Sequence, residues 1–119
     1  MVREEIKALQ LDRLKKTVSH CMGSPFYKKR FDEAGLKPED IKCLDDIRRI
    51  PFTTKQDLRD NYPFGVASIP ASKCVRLHSS SGTTGHPVVI LHSARDLDQW
   101  ANAVARCMWM VGCQPEDVL

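Results

Sequence analysis

The stretch Ser79-Ser-Ser-Gly-Thr-Thr-Gly-His-Pro87 holds the residues best suited to chemistry on an anion. Hydroxyls at Ser79, Ser80, Ser81, Thr83 and Thr84 supply donors in every orientation, while Gly82 and Gly85 open backbone conformations closed to other residues. Such a segment can curl until successive N–H groups converge on one phosphate. It is not a Walker A loop, because G-x-x-x-x-G-K-[ST] is absent and the segment after it reads as a strand. The G-x-G-x-x-G dinucleotide fingerprint is absent too. Composition alone favours a plain hairpin loop, so the residue pattern by itself leaves phosphate binding open.

Other chemistries find less support. Ser80 or Ser81 as a nucleophile lacks a paired base and a G-x-S-x-G elbow. His20, His78, His86 and His92 are not paired with cysteines at ligand spacing, so no metal site is expected. The cysteines Cys21, Cys43, Cys74, Cys107 and Cys113 are odd in number, widely spaced and without a C-x-x-C pair, which reads as reduced thiols in the cytoplasm. Lys28-Lys-Arg30 and Lys15-Lys16 read as solvated faces interspersed with acids rather than as nucleic-acid contacts. His78 and His92 read as strand-end or core residues.

The elements that must position the loop follow from periodicity and caps. Ile6, Leu9, Leu14, Val18 and Cys21 trace an apolar stripe on a helix from about Arg3 to Met22, stopped by Gly23. Ser24-Pro25 opens a short aromatic helix carrying Phe26, Tyr27 and Phe31, with Gly35 as its stop. Pro38-Glu-Asp40 and Asp45 begin two short turns with acids at their positive ends. Thr54-Lys-Gln-Asp57 is a capping box for a helix that Pro63 terminates. Beyond Gly65 the texture changes. Cys74–His78 and Val88–Leu91 read as strands either side of the loop, and Ser93-Ala-Arg-Asp96 caps a helix with Leu97, Trp100, Ala101, Val104, Met108 and Val111 on one face. Gly112 ends that helix. Val118-Leu119 reads as the start of another strand, so the expected sheet is mixed, with the last helix as a right-handed crossover.

Composition sets the outer bounds. With 119 residues, 42% hydrophobic and 28% charged, the chain has the make-up of a globular domain or part of one. The net charge is +3 and its basic residues are scattered, so no strong attraction to nucleic acid or an anionic membrane is expected. No apolar run approaches the ~20 residues of a membrane-spanning helix, and Met1 to Leu14 has no signal-peptide core.

Several motifs in order carry a resemblance. Ser80-Ser-Gly-Thr-Thr-Gly85 followed by x-Pro87 resembles the phosphate loop of the adenylate-forming acyl-CoA synthetases. Pro51-Phe-Thr-Thr-Lys-Gln-Asp-Leu-Arg-Asp-Asn-Tyr-Pro-Phe-Gly65, Arg76-Leu-His78, Asp96-Leu-Asp-Gln-Trp100 and Ala105-Arg106 narrow it to the phenylacetate-CoA ligase family, from about Leu9 to Leu119. The resemblance implies a considerably longer enzyme that uses ATP and Mg²⁺ to convert an arylacetic acid to an acyl-adenylate, then passes the acyl group to coenzyme A. By that analogy Ser80, Ser81, Gly82, Thr83, Thr84, Gly85 and His86 face the β- and γ-phosphates, no catalytic residue lies within these 119 residues, and the chain alone is inactive.

One departure stands out, since relatives with a lysine beside the loop's proline are common and Val88 and His86 occupy those places here. His86 either donates to phosphate, gaining a proton beside the anion, or is a solvated loop residue. The expected fold is an incomplete α/β domain. Residues 1–65 make a helical N-terminal part and 66–119 the strand, loop, strand and helix that begin the ATP-binding part. Trp109 lies out of phase with the stripe of the last helix, which gives that helix a second apolar face to be covered. The competing reading is a helical docking or dimerisation module with an inert loop, and it overlaps with the first because a homodimer is compatible with both.

Overall fold

In the computed structural model, which describes residues 2–81 and 87–118, two helices, two 3-10 turns, a short third helix and a further 3-10 turn (Ala71–Lys73) precede a β-hairpin and a final long helix. Helix α1 (Arg3–Cys21) starts where the Val2 N–H donates to the Glu5 carboxylate at 3.0 Å. Its buried stripe is Leu11, Leu14, Val18 and Cys21, a 3-4-3 spacing, and Ile6 and Leu9 remain exposed. The expected stripe placed Leu9 where Leu11 stands. Leu9 lies five residues from Leu14, which at ~100° per residue turns it off the buried face.

Helix α2 (Pro25–Glu33) is anchored at its N-cap. Ser24 is fully buried, its Oγ accepts the Tyr27 N–H at 3.4 Å, and its hydroxyl donates to the Gly65 carbonyl at 3.5 Å. Gly23 beside it allows that approach: a Cβ there would lie 2.5 Å from the Ser68 carbonyl oxygen. Gly35, at φ +59°, ends α2 and lets the Leu36 N–H reach back to the Phe31 carbonyl at 2.9 Å. Val18, Phe31, Leu36 and Ile41 then close into a core, with Leu14, Tyr27 and Ile50 packed around it. Burial there pushes the Cys21 thiol pKa up, which keeps it protonated.

The 3-10 turns Pro38–Asp40 and Leu44–Arg49 lead to α3 (Lys55–Asp60), whose capping box forms as read. The Thr54 N–H and hydroxyl both donate to Asp57 Oδ2 at 2.7 Å, and those bonds, with Arg30, hold its carboxyl below the usual carboxylate range. Arg30 fixes α2 to α3 by donating to Asp57 at 3.0 Å and to the Phe52 carbonyl at 2.9 Å. Strands β1 (Arg76–Ser79) and β2 (Val89–His92) pair antiparallel, Leu77 opposite Leu91 and Ser79 opposite Val89. Helix α4 (Ala94–Met110) follows from a Ser93–Asp96 capping box, and Gly112, at φ +91°, ends it.

Two expectations need correction. Among the described residues the sheet has two strands, both antiparallel, so the mixed sheet and its crossover are not formed. Val118 is coil, 98% exposed, with no strand beside it among the described residues; Leu119 lies outside the described residues. The surface is also large. At 9136 Å² it exceeds by about 40% the ~6,500 Å² of a compact protein of this mass. No described residue of α4 is buried, and Trp100, Val104, Trp109, Met110 and Val111 are exposed around it, so its apolar surface is only partly covered. No helix among the described residues is long and apolar enough to cross a membrane.

Candidate functional site

The loop read as the candidate site leaves β1 at Ser79 and rejoins β2 at Val89, so the hairpin presents it at one end of the ladder. The base of that loop is closed by one residue pair. The Ser80 N–H donates to the Val88 carbonyl at 3.0 Å, and the Val88 N–H donates back to Ser80 Oγ at 2.9 Å. Ser79 Oγ caps the same corner by donating to the Ser80 carbonyl at 3.0 Å. At the far end the ladder is lengthened by the Val75 N–H bonding the His92 carbonyl at 2.8 Å.

Of the seven predicted site residues, Ser80 and Ser81 are placed at this stem and both are exposed. Gly82, Thr83, Thr84, Gly85 and His86 lie outside the described residues. Ser80 thus has a second task that spacing did not disclose. Its hydroxyl oxygen braces the stem, while its O–H proton has no acceptor among the described residues.

Behind the stem, the two faces of the hairpin differ. His78 and His92 share one face at 4.9 Å between ring centroids, and the Trp100 indole of α4 lies 5.1 Å from His78 and 5.5 Å from His92, nearly parallel to the latter. Edge and stacked aromatic contacts of this kind add ~0.5–1.5 kcal/mol beyond area burial. They fix α4 against the strands that carry the loop. Sequence reading took both histidines as strand-end or core residues and missed their convergence on Trp100, which the antiparallel register and the helix direction create.

The other face puts Val89 and Leu91 over an apolar cavity of about 350 Å³, walled by Tyr27, Leu58, Phe64 and Ile69. Its carboxylate, Asp96, accepts the Ser93 N–H and hydroxyl at 2.8 Å each, and these bonds, with the neighbouring His92 and His20, hold its pKa below the usual range. With that carboxylate committed to the cap, the cavity offers packing space rather than phosphate chemistry. Among the described residues no group of three His, Cys, Asp or Glu side chains is arranged to hold a metal ion.

Comparison with known proteins bears out the resemblance. No family model matches the chain. It is 49% identical to the phenylacetate-coenzyme A ligase of Escherichia coli over 96% of its length, and 46% identical to that of Thermus thermophilus over 95%. The Aromatoleum evansii phenylacetate-coenzyme A ligase is 47% identical over 98%. The chain spans about a quarter of the length of these relatives, 26–27%. In three dimensions it is similar to 2-hydroxyisobutyryl-CoA ligase, solved with 2-HIB-AMP after adenylation (TM-score 0.87, 33% identity) and with 2-HIB-AMP and CoA in the thioesterification state (TM-score 0.89, 35% identity). Each covers 98% of this chain, which in turn covers 26% of that ligase.

Proposed function

We propose that this chain is the N-terminal, phosphate-gripping part of a phenylacetate-CoA ligase. The observation that carries the reading is 44–49% identity to four such ligases along 95–98% of the chain. The braced hairpin stem adds to it, since Ser80 Oγ accepts the Val88 N–H and its proton has no acceptor among the described residues.

In the proposed reaction a carboxylate oxygen of the arylacetic acid attacks the α-phosphorus of ATP, and the bond to pyrophosphate breaks. The thiol of coenzyme A then attacks the acyl carbon, loses its proton and expels AMP. The first step brings one anion against another, so its barrier falls when the departing phosphates are held in line and their charge is met by donors. Ser80, Ser81, Thr83 and Thr84 hydroxyls with the N–H groups of Gly82 and Gly85 would serve there, and His86 would add a proton-dependent charge to a loop that holds no lysine. Magnesium ligation finds no fitting group among the described residues, and no step is assigned to it. The arylacetate and CoA sites, any homodimer contact and a cytoplasmic location belong to the same proposal.

The large exposed apolar surface of α4 supports the view that more protein covers this chain, and it serves the docking-module reading equally. The reaction itself separates the two. A polypeptide carrying this chain at the length of its relatives, given ATP, phenylacetate and CoA, should release AMP and pyrophosphate and form the thioester. Absence of all three products from a folded protein would leave only the docking reading.

A further inference from the structure

The sequence disperses its basic residues, but the fold gathers four of them along one groove. Arg13 and Lys16 of α1 face Arg95 and Arg106 of α4 across a cleft of about 750 Å³. On α4 the spacing is Arg95, Gln99, Asn102, Arg106, steps of four, three and four that place one polar stripe along the helix. Arg13, Lys16 and Thr17 do the same on α1. Among the described residues the one carboxylate on the cleft wall is Asp98.

Charge in this cleft is largely unneutralised. Lys16 is matched by Asp12 at 2.8 Å, but Arg13, Arg95 and Arg106 have no ion pair among the described residues. Arg95 also sits in the first turn of α4, where the helix dipole disfavours a cation. Three unpaired guanidiniums line one cleft, and an anion between them would satisfy their forked donors in bidentate fashion.

We propose that the α1–α4 cleft binds a diphosphate group, either free or as part of a nucleotide, at a place distinct from the hairpin loop. One phosphate occupies one or two guanidiniums; three guanidiniums spread over two helices match linked phosphates. The amides of Gln99 and Asn102, each able to donate and accept, are positioned for the uncharged part of a nucleotide. This inference does not depend on the ligase reading, because it uses none of the loop residues.

The test is calorimetric titration of the 119-residue chain with inorganic pyrophosphate and with ADP at about 50 mM ionic strength, where surface charges are weakly screened. Saturable binding of either anion is expected, and tighter ADP binding assigns the site to a nucleotide whereas equal or weaker ADP binding assigns it to free diphosphate. Arg13→Gln, Arg95→Gln and Arg106→Gln should each weaken binding about tenfold, the loss of one charge-assisted contact, with helicity by circular dichroism unchanged. Lys29→Gln, at an exposed cation of α2 outside the cleft, should keep the affinity within about twofold, well below the effect of losing such a contact. No binding of either anion, or binding undiminished by all three arginine replacements, overturns the proposal.

Discussion

Two phenylalanines in this chain occupy opposite extremes, and replacing each by alanine separates burial from composition. Phe31 is 2% exposed, packed against Val18, Leu36 and Ile41, with the Tyr27 ring centroid 6.1 Å away. Phe52 is 92% exposed, and its contribution to the fold is its backbone carbonyl, which accepts from Arg30. Removing the Phe31 ring forfeits ~1.5–3 kcal/mol of transfer free energy. The cavity left behind brings the total to about 3–5 kcal/mol, because helices on either side cannot collapse fully into it. Phe52→Ala keeps the carbonyl and gives up almost no buried area, so its effect stays within ~0.5 kcal/mol. Urea denaturation followed by far-ultraviolet circular dichroism reads both. The Phe31 variant should show a strongly lowered midpoint, or loss of the α1–α2 helical signal before any urea is added. Equal midpoints for the two variants would rule out a core centred on α1 and α2.

Other expectations follow from single contacts. Ser93→Ala removes the α4 N-cap and should cost about 1 kcal/mol by denaturation. Because the Ser93 N–H and hydroxyl depress the Asp96 pKa, that carboxylate's stabilisation is present above its unfolded value of ~3.9 and is lost as pH falls through the lower folded value. Carboxyl titration by NMR should therefore show the Asp96 pKa rising in Ser93→Ala. Gly23→Ala drives a Cβ into the Ser68 carbonyl oxygen, and a destabilisation of ~1–3 kcal/mol should appear as a lower thermal midpoint. In a ligase-length enzyme, His86→Ala should raise the KM for ATP more at pH 6 than at pH 8, since an imidazole with a reference pKa of ~6.5 carries charge only at the lower pH; equal effects would dispose of a charge role.

Local signals made much of this architecture legible. Ser24-Pro25, Thr54 with Asp57 and Ser93 with Asp96 each announce a helix start through a side chain that meets its own backbone within three residues, and all three helices begin there. Gly35 and Gly112 end helices because each adopts a positive φ. Contacts between distant segments were harder to read. Leu11 displaced Leu9 from the core by a difference of helical phase. Ser80 emerged as a stem brace because its partner, Val88, lies eight residues on. The meeting of His78, His92 and Trp100, and of Arg13 with Arg95 and Arg106, depends on where helices are laid against other elements, which no short window of sequence contains. A mixed sheet was expected from element order, yet strand pairing needs a neighbour, and Val118 has none among the described residues.

If this chain supplies the phosphate end of an arylacetate-activating ligase, it should work in the place of its counterpart. The decisive experiment puts it in place of the matching quarter of the Escherichia coli relative and measures phenylacetate-dependent release of pyrophosphate from ATP. The chimaera should release pyrophosphate, and Thr83→Ala/Thr84→Ala within it should lower that release by about one to two orders of magnitude, as removal of donors to a departing anion does. A folded chimaera that releases none, or one indifferent to the loop replacements, would show that the loop does not grip the phosphates.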